Sequence, residues 1–192
     1  MTKDPSNLLS LIRFNEVTSL KNETKTFLSS RMRTDKFNKK QLIFSKGETC
    51  NKIFIIKKGM VHAFYQMDDQ KITTWISIEN EVFTSISSFF SGNPCLENIQ
   101  ALEDTYVDYL THEDMQEALS RFPDFVILNR RLMEEYYRHA EVRSIIPRIP
   151  GGKNRLNYFL DHYDKQIIER APKKVLASLL NMRPETLSRL IP

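Results

Sequence analysis

A chain of 192 residues with 41% hydrophobic and 27% charged side chains can bury a real core and reads as an ordinary globular protein. It has no run of 18 apolar residues and no signal-like start, which argues against a spanning helix or a membrane partner and leads us to expect a cytoplasmic protein. Two cysteines, Cys50 and Cys95, make neither a disulfide framework nor a four-thiolate cluster site, and the four histidines (62, 112, 139, 162) share no ligand spacing, so no cofactor or metal is expected.

Residues 5–34 carry Leu8, Leu9, Leu11 and Ile12, then Leu20, Phe27, Leu28 and Met32, and read as helical, with Thr18 or Asn22 placed to open a second helix. From residue 41 to 111 the pattern shortens to strands at 41–44, 52–56, 60–66, 71–78 and 105–111, rich in Ile, Val, Phe, Tyr and Thr. Lys46-Gly47-Glu48, Lys57-Lys58-Gly59 and Asp68-Asp69-Gln70 break them as hairpin connections do, which predicts a small antiparallel barrel or roll. Helical spacing returns at residue 123, where Phe125, Leu128, Leu132, Val142 and Ile146 recur at intervals of three to four up to Pro147. Such a helix suits pairing across a two-fold axis in a homodimer; packing on its own roll is the alternative. Residues 147–152, with two prolines and two glycines in six, form the clearest linker, and Leu156, Tyr158, Phe159 and Leu160 start a new helical run after it.

The last stretch, residues 173–190, reads as two short helices broken at Asn181. Val175, Leu176, Leu179 and Leu180 make the apolar side of the first, and Ala177 permits close helix approach. Asn181 tolerates the positive φ of a tight turn, Pro184 suits a helix's first turn, and Leu187 and Leu190 share one face. This spacing is that of a helix-turn-helix, whose second helix enters the DNA major groove. The alternative is two packing helices around a polar turn. Residues 148–192 hold nine Lys/Arg against four acids, a net +5, whereas residues 1–147 hold 19 against 20. The basic excess therefore lies in the same segment, as a phosphate-facing surface would require.

Leu176-Ala-Ser-Leu-Leu-Asn-Met-Arg-Pro-Glu-Thr-Leu-Ser-Arg-Leu190 resembles the helix-turn-helix of the Crp/Fnr family of bacterial transcription regulators. Ile43-Phe-Ser-Lys-Gly-Glu48 followed by Ile53-Phe-Ile-Ile-Lys-Lys-Gly-Met-Val61 resembles that family's cyclic nucleotide-binding β-roll, in the family's order and at its distance. The resemblance implies an α+β fold: N-terminal helices and an antiparallel β-roll (a double-stranded β-helix) over residues 1–120, a dimerisation helix over 121–147 and a small C-terminal helix-turn-helix domain over 148–192. It also implies double-stranded DNA carrying an inverted repeat as partner. Lys173, Lys174, Arg183, Glu185, Thr186, Ser188 and Arg189 are the expected DNA-contacting residues.

The family's ligand pocket falls on residues 83–99. A buried phosphate needs a cation and backbone N–H groups, and the ribose needs an acceptor. Here Thr84-Ser85 stands where the family has Gly-Glu, Cys95-Leu96 stands near its phosphate arginine, and no Lys or Arg occurs between Lys71 and Arg121. Cyclic AMP is therefore not expected to bind. The residues left for another small-molecule effector are Thr84, Ser85, Ser87, Ser88, Cys95, Leu96 and Glu97, with hydroxyls also at Ser91 and an apolar wall from Trp75, Phe89 and Phe90. The alternative is that these aromatics are roll core and the serines solvated turn. No nucleophile–base pair and no Gly-rich phosphate loop is present, so an enzyme is not expected. The reading is a sequence-specific regulator of transcription. Its rival is a cyclic nucleotide-binding-like small-molecule module that has lost specific DNA binding, because only Ile191 and Pro192 follow Leu190, with no hairpin wing.

Overall fold

The structure, a computed structural model, describes residues 7–191, and side chains from residue 9 onward. The expected helical start at residues 5 and 6, the packing of Leu8, and Pro192 lie outside the described residues. Two helices open the chain, α1 (Asn7–Val17) and α2 (Asn22–Arg31). The Asp124 carboxylate caps α2 from a distance, accepting from the Lys21 N–H at 2.8 Å and from Thr24 Oγ1 at 2.8 and 2.9 Å.

Eight strands follow: β1 (Arg33–Phe37), β2 (Leu42–Phe44), β3 (Lys52–Lys58), β4 (Val61–Met67), β5 (Gln70–Ser77), β6 (Val82–Phe83), β7 (Asn98–Ala101) and β8 (Thr105–Thr111). They form two four-stranded sheets, ordered β1-β8-β3-β6 and β2-β7-β4-β5, with every pairing antiparallel. Phe54 lies at the centre of the roll, stacked on Phe83 at 4.9 Å and ringed by Phe44 and Tyr109. Phe54 and Ile56 join the roll interior, whereas Ile53 and Ile55 turn to the helices on its outer face. A strand buried on both faces reads as a continuous apolar run, which is why alternation in this stretch is imperfect. Gly59 makes the β3–β4 connection at φ +110°, where an added Cβ would sit 2.7 Å from the Thr105 backbone, so no side chain fits. On the outer face the fully buried Asp108 accepts from Lys57 Nζ at 2.7 Å, Ser10 Oγ at 2.7 Å and Thr34 Oγ1 at 2.6 Å, tying α1 and β1 to the sheet.

A short helix α3 (Ile86–Ser91) interrupts the roll, and α4 (His112–Arg121) leads into the long α5 (Pro123–Ile145). A 3-10 turn at Ile146–Arg148 precedes α6 (Gly152–His162), α7 (Lys165–Arg170), α8 (Lys173–Leu179) and α9 (Pro184–Leu190). The protein is thus α+β, with antiparallel sheets and one long helix, as expected. The five predicted strands are present within two residues at each end. Apolar spacing does not reveal β1, the two-residue β6, β7 or α4, although Thr111 and Asp114 form a reciprocal capping box at the start of α4.

The apolar residues that predicted a dimer seam on α5 face inward. Phe125, Leu128 and Leu132 pack with Phe14, Leu28 and Leu110, while Val142 and Ile146 join the core of the C-terminal helices. Packing on its own protomer, the alternative reading, holds for these residues. The face of α5 left outward carries Val126, Ile127, Tyr137 and Ile145, all more than 40% exposed.

Candidate functional site

Two places carry the residues singled out by sequence. The first is the α8–turn–α9 unit. Leu176, Ala177, Leu180 and Leu187 are fully or almost fully buried, and Ala177 is the small residue that lets the helices meet. The turn is closed by Asn181 N–H on Ser178 O at 3.1 Å and Met182 N–H on Ala177 O at 2.9 Å, with Asn181 at φ +49°. Arg155 braces it from α6: Nε donates to Leu180 O at 2.7 Å, Nη2 to Asn181 O at 3.1 Å and Nη1 to Ile149 O at 2.9 Å. No spacing in the sequence marks Arg155, because its partners are backbone carbonyls. Pro184 occupies the first turn of α9. With Leu187 committed to the core, Lys173, Lys174, Arg183, Glu185, Thr186, Ser188 and Arg189 are all exposed. Among the described residues none of the four basic side chains in that set takes part in an ion pair. They are free to meet a polyanion.

The second place is a cleft between the roll and α5, bordered by Trp75, Glu81, Phe83, Thr84, Tyr136 and Arg143. Its chemistry is acidic and aromatic. Burial pushes the Glu81 carboxyl up to about 7, with Glu135 adding to the rise while Ser77 and Arg143 oppose it. Burial also raises Glu97, against hydrogen bonds from the Trp75 and Thr74 side chains. Desolvation raises Tyr136 and lowers His139, so both stay neutral near pH 7. Arg143 is the cation among these groups. Glu135, at the rim, is held by Arg13 Nη2 at 3.2 Å.

The predicted pocket residues divide around this cleft. Thr84 borders it, and Glu97 stands beside it through Trp75. Thr84 Oγ1 is already committed, donating to Lys52 O at 2.8 Å. Ser88 Oγ donates to Asn93 O at 2.5 Å and accepts from the Cys50 N–H at 2.8 Å. Cys95 is buried, its carbonyl accepting from Gly47 N–H and its N–H donating to Glu48 O. Ser85 is buried with its Oγ unpartnered among the described residues. Ser87 and Leu96 are exposed, Phe90 is 49% exposed, and Phe89 belongs to the helix-facing core, whereas Trp75 lines both roll and cleft. Sequence reasoning missed Glu81, Tyr136 and Arg143. Glu81 follows a strand end, and the two α5 residues reach the roll only through the tertiary fold.

Residues 34–122 match the cyclic nucleotide-binding domain family. Most of the chain shares its fold with solved bacterial regulators. FixK2 from Bradyrhizobium japonicum superposes with a TM-score of 0.71 at 17% identity, over 83% of this chain and 82% of that one. The c-di-GMP-responsive regulator CLP from Xanthomonas campestris gives 0.68 at 13% identity, over 89% and 90%. A CooA mutant from Carboxydothermus hydrogenoformans gives 0.66 at 20% identity, over 83% and 74%. At these identities the likeness is one of fold. No curated protein matches in sequence. Among the described residues no helix is long and apolar enough to cross a membrane.

Proposed function

We propose that the protein is a sequence-specific, DNA-binding regulator of transcription, acting as a two-fold dimer, whose roll senses a small molecule other than cyclic AMP. In this reading residues 1–120 form the effector domain, 121–147 the dimerisation helix and 148–192 the DNA-reading domain. The observation that carries it is the surface of α8 and α9. A buried Leu187 turns Glu185, Ser188 and Arg189 outward, beside Lys173, Lys174 and Arg183, none of them spent on an internal partner among the described residues. Arg189 and Glu185 are the groups suited to base edges, and Lys173 and Lys174 to phosphates. The shared fold with FixK2 and CLP supports the same reading.

The cleft supports the exclusion of cyclic AMP. A phosphate placed there would meet Glu81, with Glu135 and Glu97 close by, and one arginine already facing those carboxylates. An unpaired buried anion is costly. Thr84, Ser85, Ser87, Ser88, Cys95, Leu96 and Glu97 remain the proposed effector segment, with Glu97 offered as an acceptor. Dimerisation falls to the outward face of α5, where Val126, Tyr137 and Ile145 are exposed.

Salt-dependent binding curves on selected and random duplexes test the DNA reading. Arg189→Ala should cost ~1–3 kcal/mol on the selected duplex only and relax specificity at one base. Lys173→Ala should weaken both duplexes alike and lower the salt slope by about one unit. Indistinguishable losses would instead mean a module that has kept the fold without specific recognition.

A further inference from the structure

The α8–α9 unit is fastened to the roll by three kinds of contact. Arg170, at the end of α7, forks onto two carboxylates of the roll. Its Nη1 and Nη2 donate to Glu79 at 2.8 and 2.9 Å, and its Nε and Nη2 donate to Glu103 at 3.2 and 2.6 Å. Four charge-assisted bonds fix the plane of a guanidinium as a lysine could not. Second, Ser178 of α8 sits on β5, the outer strand of its sheet. Its Oγ accepts from the Thr73 N–H at 2.9 Å and donates to Lys71 O at 3.1 Å, satisfying an otherwise open strand edge. Third, Met60, Ile76, Ile78 and Leu102 of the roll share one core with Ala171, Leu176 and Leu179. Glu79 itself is held in place by the Gly59 N–H at 2.7 Å.

We propose that Arg170, Glu79, Glu103 and Ser178 form a clasp that positions the DNA-reading helix and so sets the half-site spacing a dimer accepts. The proposal rests on the reading of α9 as the base-contacting helix. The connection from α5 to α6 is held at Ile146, which is buried, and at Ile149 O, which accepts from Arg155 at 2.9 Å, and then passes through exposed Pro150 and Gly151, the latter at φ +79°. The clasp adds a second attachment, to the roll, that fixes the angle of the C-terminal helices while leaving Glu185, Ser188 and Arg189 exposed. With α9 fixed against the roll, and the roll fixed on its own α5, the separation of two α9 helices across a dimer becomes a property of the protomer's fold. The clasp also adjoins the cleft. Glu79 and Glu81 lie on one short turn around Asn80, at φ +70°, so the carboxylate gripped by Arg170 and the carboxylate facing the cleft are two residues apart on the same segment.

The test uses the full chain and the variants Arg170→Gln and Glu79→Gln/Glu103→Gln, with two readouts. The first, without DNA, is hydrogen exchange at the Thr73 amide, whose acceptor across the edge is Ser178 Oγ. Exchange there should speed up by at least roughly tenfold in either variant through local opening, while Ala63 amide exchange, inside the sheet, is unchanged. Unchanged Thr73 exchange would overturn the clasp; a matching rise at Ala63 would mean general unfolding and would overturn it as well. The second readout is affinity for duplexes whose half-site centres are one helical turn apart or shifted by one base pair. The parent should discriminate between these by about tenfold or more, and the variants should lose most of that discrimination while keeping their preference for the half-site sequence. Parent-like spacing discrimination in the variants would overturn the positioning role. A parent that binds every sequence alike would refute the DNA reading and the spacing role with it, and Thr73 exchange would still report whether the clasp exists.

Discussion

Glu81, Tyr136 and Arg143 meet in the cleft, where burial raises the Glu81 carboxyl and the Tyr136 hydroxyl and the arginine faces its own protein's acids. Lys173, Lys174, Arg183 and Arg189 stand on α8 and α9, exposed and in no ion pair among the described residues. The first region has its charges answered from within, as low-dielectric surroundings demand. The second keeps charge unanswered in water, where the cost is small and an external polyanion can supply the partner. Charge that is internally paired organises a pocket; charge that is left open points to a macromolecular partner.

The comparison breaks first where the open surface is anchored. Leu187 is fully buried beneath the exposed face of α9, so Leu187→Ala should cost ~2–5 kcal/mol, read as a loss of the C-terminal helices in thermal unfolding by circular dichroism. A small loss would mean that α9 is held by something other than its apolar underside. The next effect belongs to the cleft. The Glu81 carboxyl titrates at about 7 in the folded chain against 4.5 ordinarily, so between these values the folded protein holds one proton more than the unfolded chain. The stability it contributes is full below pH 4.5 and lost as pH rises through about 7. Glu81→Gln should therefore be more stable than the parent by about 1–2 kcal/mol at pH 8 and equal to it at pH 4, with denaturant midpoints across that range as the check. A pH-independent difference would remove the case for an acid-lined, desolvated cleft. Calorimetric titration with cyclic AMP sharpens the same side: heats at low-micromolar affinity would show that the anion finds a cation the structure does not offer. The smallest effect is on the open surface. Lys174→Ala should change stability by no more than about 0.5 kcal/mol, since its exposed side chain is in no ion pair among the described residues, while lowering the salt slope of DNA binding by about one unit.

Local signals carried much of the fold. Breaks at Gly47, Gly59 and Asp68-Asp69 placed the strand ends, although of these Asp68-Asp69 makes the expected hairpin, between β4 and β5, while Gly47 and Gly59 carry the chain from one sheet to the other; Pro147 closed α5, and Asn181 with Pro184 marked the turn and restart of the last two helices, because Gly, Pro and Asn act through backbone energetics that need no neighbour. The exposure of the seven residues proposed to contact DNA was legible for a similar reason: helical periodicity alone separates buried Leu187 from exposed Glu185, Ser188 and Arg189. Tertiary structure decided the rest. It turned Phe125, Leu128 and Leu132 into the protomer's own core, since periodicity defines an apolar face and not what covers it. It gathered the cleft from Trp75, Glu81, Tyr136 and Arg143, residues far apart in sequence whose meeting depends on how α5 lies across the roll. It joined Arg170 to Glu79 and Glu103, and Ser178 to the edge of β5, contacts between segments about 70 to 110 residues apart. A sequence shows which side chains are charged; the fold decides which of them find each other and which are left for a partner.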